Sequence, residues 1–163
     1  MILKRKDLID RLEESGKEFV KWLALFTPDE APTPPGPNEW SAREIAIHQR
    51  DTEEQVFLLR TARALQEEHP IVTSFVQEEW SQAHPADGES LAKIIADFRA
   101  ARRKLIRLLR NASSREWEAY AMHPKLGKLS VSLMAEFNYS HTLNHLAQLV
   151  DLHEHAMLRK LNE

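Results

Sequence analysis

The sequence predicts an all-α fold, a bundle of four helices, on three observations. Apolar residues recur at helical spacing in four long segments, the connections between them carry proline, and no stretch shows strand alternation of useful length. At 163 residues the chain has the size of one ordinary domain, read as residues 1–163, able to bury a continuous core without disulfide or structural metal. Any bound metal is therefore free to serve function. No internal repeat is visible.

The first helix is expected from about residue 3 to 26, with Leu8, Ile9, Leu12, Phe19, Leu23 and Phe26 on one face and Arg11, Glu14, Glu18 and Lys21 opposite. Thr27-Pro28 ends it, and the proline-rich stretch Ala31 to Pro37 is an extended, rigid connection. Ser41 and Glu44 form a capping box that opens the second helix, with Trp40 and Ile45 placed as a hydrophobic staple. Ile45, His48, Thr52, Val56, Leu59 and Ala62 follow one face until Glu67-Glu68-His69-Pro70 stops it. Residues 71–88, with Trp80, Pro85 and Gly88, have room for a short helix.

The third helix, about 89–111, carries the clearest core stripe: Leu91, Ile94, Ile95, Phe98, Ala101, Leu105, Leu108 and Leu109. Its basic tract of Arg99, Arg102, Arg103, Lys104, Arg107 and Arg110 reads as a solvated face paired with nearby acidic residues. After a connection holding Trp117, Tyr120 and His123, the last helix starts near Ser130, with Leu129 and Met134 as a second staple, and runs to about Arg159. Val131, Leu143, Leu146 and Val150 extend its apolar surface beyond one stripe, which predicts a homodimer formed through helix faces.

Composition narrows the function classes. Apolar residues make up 42% and charged residues 29%, too polar for a membrane protein, and no apolar run approaches the roughly 18 residues of a spanning helix. Met1 to Lys6 lead straight into Asp7, Asp10, Glu13 and Glu14, so no signal peptide and a cytoplasmic location are expected. A net charge of −3 argues against a nucleic-acid binder. The absence of cysteine removes disulfides, thiolate zinc sites and a cysteine nucleophile together, so imidazole and carboxylate must bind any metal.

The informative motif is His141-Thr142-Leu143-Asn144-His145. Residues at i and i+4 stack on one helix face, beside Phe137, Gln148, Leu149 and Leu152, so two imidazoles can reach one ion or can simply be buried and hydrogen-bonded. His48 shares a face with Ile45, Thr52 and Leu59 on another core helix. Three inward rings without partners would cost about 1–3 kcal/mol each, whereas one metal satisfies all three. His69, His84 and His123 precede prolines in connections and are expected to be exposed; His153 and His155 lie near the end of the last helix, where positive charge suits its dipole, and His153 can at most line the mouth of the site.

Three regions in order, Trp40 to His48, His123 to Ser130 and His141 to Leu149, resemble signature regions of the DinB/YfiT-like superfamily and span most of the chain. The resemblance implies an up-down-down-up four-helix bundle and a divalent metal, zinc or nickel, on His48, His141 and His145. Asn144 departs from the histidine or arginine often found at that position, which is not a ligand.

Three protein ligands and an open place describe a catalytic site. Either the ion generates hydroxide for hydrolysis of a small-molecule substrate, with Asp51 and Glu54 as candidate bases or ligand-orienting groups, or it binds the thiol of a small cofactor that attacks an electrophile. Some members that the chain resembles are such thiol transferases. The alternative is a metal-containing binding module without turnover, for which the Arg99–Arg110 tract offers a surface.

Overall fold

All four periodic segments are helical in the structure, a computed structural model that describes residues 4–162. The expected start of the first helix at residue 3 lies outside that range. α1 spans Arg5–Leu23, ending three residues before the proline-set limit. α2 (Ala42–Thr52) passes through a π-helical turn at Glu53–Leu58 into α3 (Leu59–Gln66) without a break. α4 is a short helix, Gln77–Ala83; α5 spans Leu91–Asn111; α6 spans Val131–Asn162. The helix starts are chemically marked. Ser41 and Glu44 form the expected capping box, Ser90 Oγ accepts from Lys93 N–H at 3.2 Å, and Ser130 Oγ from Leu133 N–H at 3.2 Å.

Cross-helix contacts give the direction of each helix. Arg5 on α1 reaches the carbonyls of Leu109 and Ala112 while Phe19 packs on Phe98, so α1 and α5 run antiparallel. His48, Gln49 and Glu53 meet His141, Thr142 and Asn138, so α2 and α6 run antiparallel too. Arg50 meets Glu89 and Glu53 meets Arg102, so α2 and α5 run parallel. The order is up-down-down-up. Parallel α2 and α5 require the chain to return the full bundle length between them, and residues 67–90, including α4, make that crossing.

Two strands appear where none was expected. β1 (Tyr120–His123) and β2 (Gly127–Ser130) form an antiparallel hairpin in the register Tyr120↔Ser130 to His123↔Gly127. Each has four residues and places only Ala121 and Leu129 fully against the core besides His123, too little for alternation to show. Gly127, at φ +72°, supplies the left-handed residue that the turn needs. His123 is buried rather than exposed: its Nδ1 accepts the backbone N–H groups of Lys125 and Leu126, each at 3.1 Å, and so holds the turn.

The π-turn changes which residues of the second segment face inward. Ile45, Gln49, Glu53, Phe57 and Thr61 are all buried and follow one another at four-residue steps. In an ideal α-helix that spacing drifts about 40° per step; the wider π-turn, which begins at Glu53, offsets part of the drift for the residues after it. Leu59, expected on the core face, is instead 48% exposed.

The core has two apolar halves with a polar layer between them. One half gathers Leu8, Leu12, Phe57, Leu105, Leu109 and Met134; the other gathers Phe19, Leu23, Ile45, Ile94, Phe98 and Leu149. Along every long helix the polar residues lie between the two sets: Arg102 on α5, Gln49 on α2, Glu53 in the π-turn, Asn138 and Thr142 on α6. Arg102 was expected on the solvated face, yet it is 5% exposed and forms a two-point ion pair with Glu53 at 2.7 and 2.8 Å. Of the rest of the tract, Arg110 pairs with Glu13 on the surface as expected.

Of the residues expected to form a dimer face, Val131 is fully buried and only Leu143 is exposed, Leu146 and Val150 being half-buried. Among the described residues no helix is long and apolar enough to cross a membrane.

Removing one partner of the buried pair should be costly, because it strands the other charge. Glu53→Leu or Arg102→Met is expected to lower unfolding free energy by about 3–5 kcal/mol, and the double substitution by less than the two losses added. Chemical denaturation of the three variants measures this; additive losses would mean that the two groups are not coupled.

Candidate metal centre

The site lies at the edge of the polar layer, and that layer sets its geometry. Gln49 Nε2 donates to Thr142 Oγ1 at 2.9 Å, and each of these residues directly follows a ligand candidate, His48 and His141. The bond fixes α2 against α6 in the register that brings the two rings together. His145 comes onto the same face one turn later.

The three Nε2 atoms converge. His141 Nε2 lies 3.1 Å from His48 Nε2 and 3.2 Å from His145 Nε2, and no other histidine, aspartate or glutamate joins the group among the described residues. Two of the rings are oriented from behind. His48 Nδ1 donates to Gln77 Oε1 at 2.9 Å and His145 Nδ1 to Gln148 Oε1 at 2.7 Å, which leaves both Nε2 lone pairs pointing at the shared point. His141 Nδ1 is buried with no partner.

The rings are held neutral. Burial, with the fields of His145, His48 and Arg102, pushes the His141 pKa down to about 3. Burial, only partly offset by Gln148, pushes His145 down to about 4. Burial also lowers His48, against the opposing pull of Gln77, Asp51 and Glu78. Neutral imidazoles are the form that ligates metal.

A divalent ion fits this donor set. Nitrogens bound to tetrahedral zinc at about 2.0–2.1 Å stand about 3.3–3.4 Å apart, close to the spacings found here. Without a cation, neighbouring lone pairs at 3.1 and 3.2 Å have at most the His141 proton to share between them.

The remaining sequence candidates fall behind or outside the site. Asp51 is 4% exposed and lies on the outer side of His48: Arg50 Nε donates to its Oδ1 at 2.8 Å and Gln77 Nε2 to its Oδ2 at 3.4 Å. Because the Gln77 amide must turn its NH2 toward this carboxylate, its oxygen is left for His48, so Asp51 orients a ligand at one remove. Glu54 and Asn144 are exposed. Phe137, expected on the inward face, is 46% exposed. His153 packs edge-on against Trp22 and Phe26 and does not line the mouth; His155 does. Gln77 and the Arg102 network escaped the sequence reading, and Gln148, placed there on the face of the pair, was given no role although it lies on the next turn after His145.

The rings are reached through two clefts that share Trp40. One, of about 570 Å³, is lined by His145, Gln148 and Asp151; the other, of about 430 Å³, by His48, Gln77 and Arg43. Trp40 is 41% exposed, with its ring 4.9 Å from His48 and parallel to His145 at 6.3 Å.

The sequence pattern of the DinB superfamily matches residues 11–149, most of the chain and all three histidines. The chain belongs to the DinB superfamily. A relative from Oceanobacillus iheyensis, provisionally named a metal-dependent hydrolase, is 23% identical over 113 residues; the match covers 69% of this chain and 64% of that protein, less than two thirds of its length. Among solved structures, YfiT from Bacillus subtilis, described as having an unusual four-helix bundle topology, superposes with a TM-score of 0.80 at 18% identity, covering 91% of this chain and 85% of that one. The four-helix bundle protein TT2238 gives a TM-score of 0.67 at 20% identity over 91% and 99%. At these identities the structures establish the shared fold.

Two outcomes follow for this DinB-superfamily site. Gln77→Ala keeps all three ligands and is expected to weaken metal affinity about 10–100-fold, by competition with a chromogenic chelator; unchanged affinity would leave Gln77 no part in orienting His48. The pH response of the metal-free protein has a definite sign. The unfolded chain takes up imidazole protons below about pH 6.5 that the folded site refuses until near pH 4, so stability is fully present above 6.5 and falls as pH drops below it. Thermal melts at pH 7.5 and 5 should show a smaller loss in His141→Gln than in the parent; equal losses would place the proton uptake elsewhere.

Proposed function

We propose that the protein is a metal-dependent hydrolase of small molecules, with His48, His141 and His145 holding one divalent ion. The observation that carries this reading is the convergence of three neutral Nε2 atoms beside two open clefts, with no fourth protein ligand among the described residues. A closed structural site would use four protein ligands; three leave room for a reactant. When bound there, a divalent ion supplies Lewis acidity and brings the pKa of water to about 7. The chain's own contribution is to hold the rings neutral and oriented. Gln77 and Gln148 fix the ring planes, Asp51 polarises Gln77, and the apolar ring of Trp40 shields one side of the centre from solvent while offering a flat surface to a substrate. Clefts of this volume suit a small organic molecule. The name carried by the Oceanobacillus iheyensis relative supports the same class.

A second reading keeps the three histidines and replaces water by the thiol of a small cofactor. The absence of cysteine from the sequence favours it to this extent: a sulfur nucleophile would arrive with the co-substrate.

The test is elemental analysis of protein purified without an affinity tag, followed by a panel of esters and amides and, separately, low-molecular-weight thiols with model electrophiles. One zinc or nickel per chain and turnover of an ester or amide are expected, with both metal and turnover lost in His145→Ala while the helical signal remains, because the apolar halves of the core do not depend on the ion. Turnover only in the thiol panel would select the second reading. An intact apo fold with no turnover in either panel would leave a binding module, and an apo protein that unfolds at ordinary temperature would make the ion structural.

A further inference from the structure

Among the described residues, three buried arginines lie in and around the second helical segment and α5, and two of them have carboxylate partners. Arg50 pairs with Asp51 and Glu89, and Arg102 with Glu53. Arg60 is 9% exposed and has neither: its single protein acceptor is the carbonyl of Thr73, at 2.7 Å from Nη2. A guanidinium carries five N–H donors and cannot lose its charge, so a buried one with one neutral acceptor is under-satisfied. Its other donors are not sealed off. Arg60 lines a cleft of about 350 Å³ between α3, the segment leading to α4, and α4 itself, walled by Leu59, Phe75, Val76 and Trp80.

Neighbouring groups do not neutralise it. Arg63, on the same rim, is already occupied by Glu67 and the carbonyl of Ile71. Glu79, the carboxylate among the lining residues, makes no ion pair with it. His123, whose Nδ1 accepts two backbone N–H groups, brings no negative charge. Burial acts on Arg60 with no compensating partner.

We propose that this cleft is a binding site for a small aromatic anion, a carboxylate or a phosphate monoester, whose charged group pairs with Arg60 and whose ring lies against Phe75 and Trp80. Planar two-point pairing is what a guanidinium offers such groups. The volume is at the lower end of the range of ligand pockets and matches a single substituted ring. The site is separate from the metal centre: Arg60 is twelve residues beyond His48 on one continuous helical run, about 18 Å at 1.5 Å per residue. The two are nevertheless adjacent through α4, which presents Glu79 and Trp80 to this cleft and Gln77 to His48.

Calorimetric titration of the full chain, in a phosphate-free buffer, tests the site with benzoate, phenyl phosphate, inorganic phosphate and the neutral control benzamide. Saturable binding of benzoate, phenyl phosphate or both is expected, with benzamide silent and inorganic phosphate at least tenfold weaker; which aromatic anion binds tighter identifies the headgroup. Arg60→Gln should weaken binding at least tenfold. Leu59→Glu provides the same test at a rim position that is already 48% exposed and so leaves the fold intact. Glu79→Gln should tighten binding by removing a like charge. Binding must survive His145→Ala, which separates it from anion capture at the metal centre. No saturable binding of either aromatic anion, equal affinity for inorganic phosphate, indifference to Leu59→Glu, or loss in His145→Ala would each overturn the proposal.

Discussion

A guanidinium buried at 5% exposure must find acceptors or destroy the fold around it, and Arg102 finds them on every other long helical segment. Leu12 of α1 gives its carbonyl at 2.7 Å, Glu53 of the π-turn gives both carboxylate oxygens, and Asn138 and Thr142 of α6 give theirs at 2.8 and 2.9 Å. Apolar packing tolerates a slide of one helix along another at modest cost; this set of directional bonds does not. One residue of α5 therefore fixes the longitudinal register of the whole bundle. Thr142 passes that register on through Gln49, and the two histidines beside them meet.

The metal centre follows from the same constraint. Nothing about isolated imidazoles brings three Nε2 atoms to one point; the alignment is imposed by a layer whose own hydrogen bonds are nearly complete. Gln77 and Gln148 then choose which nitrogen carries the proton on two of the rings, and burial keeps them from taking up a second one. The cost of burying neutral rings is carried by the fold. His141 Nδ1, on the far side of the ring from the shared point, stays buried and without a partner.

The π-turn at Glu53–Leu58 links these features. It begins at Glu53 and helps a four-residue repeat, Ile45-Gln49-Glu53-Phe57-Thr61, keep one face over a long segment, bringing Phe57 to within 5.6 Å of the His141 ring. A regular α-helix through the same residues would turn Phe57 and Thr61 progressively away from the face that Glu53 occupies.

Local chemistry was written in the sequence where it acts over a turn or two. The capping box at Ser41 and Glu44, the apolar stripe of α5 and the i,i+4 pair His141 and His145 are all short-range signals, and each stands in the structure as read. What the tertiary structure alone decided is which polar residues are inside. Arg102 lies among arginines that do face water, Glu53 beside an exposed Glu54, and Gln77 on a helix too short to announce itself; their sequence neighbourhoods do not separate them from surface residues. The burial of Arg102 and Glu53 depends on partners supplied from dozens of residues away, such as Asn138, which accepts from Arg102 and donates to Glu53, and a charge belongs in a core only when those partners are already there. The β1–β2 hairpin is of the same kind, because two four-residue strands acquire their pairing from β1's contact with Pro70 and Val72 and from the packing of Leu129. Periodicity determines a helix from its own residues; a buried polar network exists only between helices, and so only the assembled bundle contains it.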